Sequence, residues 1–199
     1  VEITNNQTRI NDAKVDPYGG ILFGTYNEDP DKAKRKPIAN LYRLAPNLSL
    51  THLLSNITVY NGISFSENEN IMYFADTPTG QRQKFEYTKN FNKLYELETN
   101  MIFKNVGEPD GATVDIDNNY WSARVRGKCI ICIDTKDEKI IEKISLPTNT
   151  PTCVAFGGAN LTSLYITSLR ADPTSDNEGG NLHRIETSTK GRVQLLTDI

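Results

Sequence analysis

Short apolar runs closed by Asp, Asn, Gly or Pro recur along the chain. They read Ile21-Leu22-Phe23-Gly24-Thr25, Ile71-Met72-Tyr73-Phe74-Ala75, Tyr120-Trp121-Ser122-Ala123 and Leu164-Tyr165-Ile166-Thr167-Ser168. Apolar recurrence at short range between turn signals predicts strands, and no stretch carries the periodicity of a long amphipathic helix. A second pair of runs follows in each unit, for example Lys128 to Ile133 and Lys139 to Leu146 about the turn Asp134 to Glu138.

The runs belong to a longer repeat. Segments beginning Asn11-Asp12-Ala13-Lys14, Asn61-Gly62-Ile63-Ser64, Asp110-Gly111-Ala112-Thr113 and Thr152-Cys153-Val154-Ala155 align, and their first residues are spaced by 50, 49 and 42 positions. Four short antiparallel strands in a unit of roughly 40 to 50 residues is the arithmetic of a β-propeller blade. A β-sandwich would also show many short strands, but it would not require the period. The fold class expected is therefore all-β, a propeller with about four blades in this chain.

The chain has 199 residues and a formal charge of −3, with Lys and Arg dispersed. No basic stripe suggests a nucleic-acid partner. The one basic cluster, Lys32, Lys34, Arg35 and Lys36 between Pro30 and Pro37, reads as a solvated insertion. The longest apolar stretches fall far below the ~20 residues of a membrane-spanning helix, so no membrane partner is expected. Cys129 and Cys132 lie in one expected strand, where side chains three apart face opposite ways, which makes them a poor chelate and an unfavourable disulfide. Buried free thiols point to a reducing, cytoplasmic setting. The sequons at Asn6, Asn47, Asn56 and Asn160 keep secretion as the alternative.

Nucleophile and zinc chemistry find little support. Gly62-Ile63-Ser64-Phe65-Ser66 lacks the final glycine of a nucleophile elbow. His52 and His183 are far apart and have no ligand partner at metal-site spacing. What remains is a set of oxygen donors at equivalent repeat positions. The first strand of each propeller blade lines the central channel, so Asn61 and Asp110 would stand side by side, with Arg9 and Asn11 one blade earlier. An amide oxygen and a carboxylate suit a hard cation, Ca²⁺ before Mg²⁺ or Mn²⁺. Asn-Gly and Asp-Gly are equally the strongest type I′ hairpin signals. Spacing alone leaves both readings open.

Arg9 to Pro17, Gly24-Thr25, Asn61-Gly62, Pro109-Asp110-Gly111, Trp121 and Pro151 to Gly158 together resemble the senescence marker protein, regucalcin and gluconolactonase family, from about Gln7 to Gly180. The resemblance implies a six-bladed propeller and divalent-metal-dependent hydrolysis of small-molecule sugar lactones. By the same resemblance Asn61 and Asp110 match metal ligands, with Asp110 also the general base. Arg9 and Asn11 match the pair that holds substrate, and Glu28 with Asp29 covers the place of a substrate-contacting glutamate. The cofactor implied is a divalent cation, Ca²⁺ first, with Zn²⁺, Mg²⁺ or Mn²⁺ as alternatives. Ala13 stands where the family has glycine. The family's third ligand, a glutamate in an early Glu-Gly-Pro motif, has no counterpart here, and four repeats stand where the family has six. Residues 1–199 are therefore expected to form one propeller domain lacking one to two N-terminal blades. A non-catalytic calcium-binding propeller and a hydrolase of phosphotriesters or other esters are the other function classes; the oligomeric state is not legible.

Overall fold

The computed structural model describes residues 2, 6–66, 70–91, 94–98, 103–170 and 174–197. Within them the chain forms four antiparallel sheets in sequence order. The first blade contains β1 (Thr8–Val15), β2 (Ile21–Asn27), β3 (Ala39–Leu44) and β4 (Leu50–Ile57). The second contains β5 (Tyr60–Ser66), β6 (Ile71–Asp76), β7 (Gln81–Glu86) and β8 (Tyr95–Leu97). The third contains β9 (Glu108–Val114), β10 (Tyr120–Val125), β11 (Cys129–Asp134) and β12 (Lys139–Ser145). The fourth shows β13 (Pro151–Gly157), β14 (Ser163–Ser168) and β15 (Leu182–Glu186), three strands where the repeat predicts four. Helical structure among the described residues is confined to three single 3-10 turns, and no helix is long and apolar enough to cross a membrane.

Side chains alternate across each sheet, and the alternation distributes the core. On β11, Cys129, Ile131 and Ile133 pack with Tyr73 of the second blade, while Ile130 and Cys132 pack with Val154, Phe156, Leu164 and Ile166 of the fourth. The two thiols are free, buried and on opposite faces, as the spacing predicts. A third cluster joins Leu22, Leu41 and Ile57 of the first blade to Tyr60, Ile63, Met72 and Phe74 of the second. Each cluster thus fills the cleft between successive blades. Gly24 is required there, because a Cβ at that position would lie 1.9 Å from the Tyr60 ring.

The inner strands β1, β5, β9 and β13 stand as successive neighbours. Polar bonds tie them together: Tyr120 Oη donates to Gly62 O at 2.7 Å, Thr77 Oγ1 to Pro109 O at 2.9 Å, and Lys14 Nζ to Ala112 O at 3.3 Å. The blades are therefore fixed to one another at the place where the repeat's polar residues gather.

Candidate functional site

Each inner strand carries a β-bulge near its start. Pairing slips between Ile10 and Asp12 on β1, between Asn61 and Ser64 on β5, and between Pro151 and Cys153 on β13; on β9 the slip lies opposite Ser122 to Arg124. The aligned residues Asn11, Asn61, Asp110 and Thr152 sit at these slips. A bulge inserts an extra residue and re-aims a side chain. Here all four residues line a single cavity of about 610 Å³, together with Arg9, Tyr26, Lys32, Arg35, Glu108 and Arg126. Asn61-Gly62 and Asp110-Gly111 lie inside β5 and β9, so the hairpin-turn reading of those dipeptides is wrong. Gly62 does adopt a φ of 65°, but to form the bulge, and its Cβ would meet Tyr120 Oη at 2.4 Å. Ala13 has no left-handed backbone, so the missing glycine is accommodated.

Asn61 is the hub. Its terminal atom facing the third blade lies 2.8 Å from Asn11 Nδ2, 3.1 Å from Tyr60 O and 3.1 Å from Asp110 Oδ1. As the amide oxygen, this atom accepts from Asn11 but confronts two further oxygens with no proton between them. Turned over, the amide nitrogen would face Asp110 Oδ1 and Tyr60 O but also the Asn11 Nδ2 donor at 2.8 Å, whereas as it stands Nδ2 donates to Thr77 Oγ1 at 2.8 Å. An amide oxygen set beside a carboxylate and a backbone carbonyl with no proton between them fits a site for a hard cation. The donors present are a carboxylate, an amide oxygen and a backbone carbonyl, all hard. Among the described residues no three His, Cys, Asp or Glu side chains gather at one point.

Asp110 is poorly solvated by protein. Its Oδ1 accepts from Gly111 N at 2.9 Å, and Oδ2 has no hydrogen bond among the described residues. Burial, then the negative charge of Asp12, pushes its carboxyl up to about 7, with Glu108 adding and the Gly111 N–H opposing. Asp12 and Lys14, which the repeat alignment passes over, lie half-buried on β1 beyond the cavity lining, near enough to feel each other's charge. Burial pushes Asp12 up against the pull of the Ile63 N–H and of Lys14, and burial draws Lys14 down against the pull of Asp12. Asp12 accepts from Ala13 N at 2.8 Å and Ile63 N at 3.3 Å, which binds the first blade to the second. Sequence reasoning missed Asp12, Lys14, Thr77 and Glu108. The Asp-x-Lys spacing on one face of β1 was the only signal for the first two.

Arg9 sits at the cavity mouth, with Nε 2.9 Å from Glu28 Oε1 and its guanidinium 4.5 Å from the centre of the Tyr26 ring. Glu28 therefore reaches the site through Arg9. Asp29 does not. Its Oδ1 accepts from Asp31 N at 3.0 Å, and it faces a neighbouring cavity with Asn27 and Lys36. The basic insertion is solvated as expected at Lys32, Lys34 and Lys36, and Lys34 pairs with Asp31 at 3.0 Å. Lys32 and the half-buried Arg35 border the cavity that Asn61 and Asp110 line, with Arg35 over the Tyr26 ring.

These features define a β-propeller whose channel mouth gathers oxygen donors at strand bulges and cationic side chains on a loop. The chain belongs to the SMP-30/Gluconolactonase/LRE-like family, whose region matches residues 1–170. A pentonolactonase of Haloferax volcanii is 28% identical over 207 residues, covering 99% of this chain and 69% of its own. A solved luciferin-regenerating enzyme is 28% identical with a TM-score of 0.87, covering 100% of this chain and 68% of that one. A calcium-binding regucalcin from Agrobacterium tumefaciens is 25% identical with a TM-score of 0.84, covering 98% and 67%. Against the curated relatives the chain spans between 54% and 69% of their length.

Proposed function

We propose that the whole protein hydrolyses sugar lactones, with a divalent cation held by Asn61 and Asp110 and substrate held by Arg9, Asn11 and Glu28. The observation that carries this reading is the meeting of Asn11, Asn61 and Asp110 within hydrogen-bond distance in one cavity that Arg9 also lines. The pentonolactonase relative supports the substrate class, and the calcium-binding neighbour supports a hard cation, Ca²⁺ first. Residues 1–199 would form part of a six-bladed ring, in which the remaining blades supply a further carboxylate to the cation.

The cation, when bound, polarises the lactone carbonyl and offsets the negative charge that develops on its oxygen. This chain's residues do the rest. Gly111 N–H would fix Asp110 Oδ1, which leaves Oδ2 to accept a proton from the attacking water. The water oxygen bonds to the carbonyl carbon, the ring C–O bond breaks, and the ring oxygen leaves as a hydroxyl carrying the proton returned from Asp110. The products are an open-chain hydroxy acid and a free base. Arg9 supplies a charge-assisted hydrogen bond and Asn11 a neutral one to the sugar, holding the carbonyl over Asp110.

A panel of sugar lactones and one phosphotriester, each assayed with and without chelator on the full-length protein, tests the reading. Chelator-sensitive lactone turnover is expected. Turnover of the phosphotriester alone would move the activity to another ester class. Cation binding without turnover of any substrate would favour the regulatory reading that the regucalcin neighbour raises.

A further inference from the structure

Thr77 stands between the two residues read as cation ligands. It opens the 3-10 turn Thr77–Thr79 that follows β6, and its backbone is held on both sides: its N–H donates to Val59 O at 3.0 Å and its carbonyl accepts from Gly80 N at 3.2 Å. Pro78 fixes φ in that turn, and Gly80 closes it in the left-handed region at a φ of 70°. The side chain is thereby presented from a fixed point to the cavity that Asn61 and Asp110 line.

Two contacts define what its hydroxyl does. Thr77 Oγ1 lies 2.8 Å from Asn61 Nδ2 and 2.9 Å from Pro109 O, the carbonyl one peptide before Asp110 on β9. A threonine hydroxyl carries one proton. The Pro109 carbonyl can only accept, so the proton goes there, and the lone pairs that remain face Asn61, which answers with its amide nitrogen. On the other side of the same amide, Asn11 Nδ2 donates to Tyr60 O at 2.8 Å and to Asn61 Oδ1 at 2.8 Å. An acceptor on the nitrogen side and a donor on the oxygen side, each anchored on a backbone carbonyl, leave the amide one orientation. That orientation is otherwise costly, because it sets Asn61 Oδ1 3.1 Å from both Asp110 Oδ1 and Tyr60 O with no proton between them. Turning the amide over would relieve both contacts, and Thr77 and Asn11 oppose the turn.

We infer that Thr77 is a positioning residue, whose hydroxyl, by donating to Pro109 O, holds the Asn61 amide with its oxygen towards Asp110 and ties this ligand to the strand that carries the other. The inference rests on the cation reading above and adds what aims one of its ligands. Partners that orient a metal ligand from outside the coordination shell set affinity almost as strongly as the ligands do. Thr77 acts through Asn61 and takes no part in the bond changes.

Calorimetric titration of Ca²⁺ into the chelator-stripped full-length protein tests this without any turnover. Thr77→Val keeps the shape and removes the hydroxyl, and it should weaken Ca²⁺ binding by about 10- to 100-fold. Thr77→Ser keeps the hydroxyl and should bind as the wild type does. In an Asn61→Asp background both terminal atoms are oxygens and no orientation is left to set, so adding Thr77→Val should change affinity little. Wild-type affinity in Thr77→Val, or an equal loss in both backgrounds, overturns the inference; the second result would make Thr77 a prop for β9 alone. Crystals of the Ca²⁺-loaded wild type decide the matter even where Thr77→Val does not fold. Asn61 Oδ1 is expected on the ion with Nδ2 on Thr77 Oγ1, and an ion held without Asn61, or an amide parted from Thr77, overturns the inference. Thr77-dependent Ca²⁺ binding with no lactone turned over defeats the lactonase reading and leaves this inference standing. Chelator-sensitive lactone turnover with Ca²⁺ affinity indifferent to Thr77 does the reverse. A wild type that binds no divalent cation defeats this inference and the cation reading together.

Discussion

A carboxylate near the start of β9, Asp110, and one just past its end, Asp115, are solvated by the protein in opposite ways. Asp115, fully buried, accepts from the backbone of Asp117 and Asn119, from the Asn119 amide, from Trp121 Nε1 and from Thr189 Oγ1. Asp110, five residues earlier, has the Gly111 N–H alone among the described residues. A buried charge is tolerated when donors surround it, as at Asp115, where the carboxylate holds the turn into β10. At Asp110 the protein withholds those donors and leaves the charge to be answered by something else. The first blade repeats the structural half of the pattern. Asp16 ends β1's turn and accepts from Tyr18 N, Gly20 N, Arg43 and Tyr87 Oη. The same residue type thus serves as scaffold at one end of an inner strand and as candidate chemistry at the other.

The sharpest way to break this comparison is to remove each carboxylate in turn. Asp115→Ala strands buried donors of Asn119 and Trp121 and should cost roughly 3 to 5 kcal/mol in denaturant unfolding, as for breaking other buried charged networks. Asp110→Ala should leave the metal-free protein at least as stable as the wild type at neutral pH, while chelator-sensitive lactone hydrolysis drops by about 10³ or more, the loss expected when a metal-bound general base goes. Should Asp115→Ala be the variant that stays folded but inactive, the assignment of the two ends is reversed.

The pH dependence sharpens it further. The folded-state pKa of Asp110, about 7, lies above its ordinary value of 3.8, so folding favours the protonated form. The stabilisation is fully present below about pH 4 and is lost as pH rises through 7. Metal-free wild type should therefore lose stability relative to Asp110→Asn across that window, by about 2 kcal/mol once the openness of the cavity is allowed for. Added Ca²⁺ should close the gap above pH 7, and Ca²⁺ affinity should fall as pH drops below 7, because the proton competes for the same oxygen. Parallel melting curves for the two proteins from pH 4 to 8 would remove the basis for a strained Asp110.

Smaller effects test the substrate side. Asn11→Ala removes the donor that holds Asn61 as well as a sugar contact, and should lower kcat/KM by about 10- to 100-fold with the fold intact. Glu28→Ala and Asp29→Ala separate the acidic pair. Loss of Glu28 frees Arg9 and should cost on the order of tenfold, whereas Asp29 is spent on its own loop and should change turnover less than about threefold. Equal losses at the two positions would show that Asp29 enters the site when substrate binds.

Much of the scaffold was legible because it is periodic. The apolar runs at Ile21, Ile71, Tyr120 and Leu164 became β2, β6, β10 and β14, and the alternation within Cys129 to Ile133 correctly put the two thiols on different faces. The fourth sheet shows three strands among the described residues where the repeat predicts four. Asn61-Gly62 was ambiguous for a physical reason: positive φ at Gly62 serves a type I′ turn and a β-bulge alike, and only pairing with β6 separates them.

By itself the sequence determined the strand-forming runs, the repeat that makes them blades, and the recurrence of oxygen donors at one point of that repeat. These are local properties, set by side-chain alternation and by turn residues close in the chain. Only the tertiary structure decided that bulges turn Asn11, Asn61 and Asp110 toward one another, and that Asp12 binds the first blade to the second. Those arrangements depend on blade against blade, between residues 50 or more positions apart in most cases, and no local pattern encodes such distances.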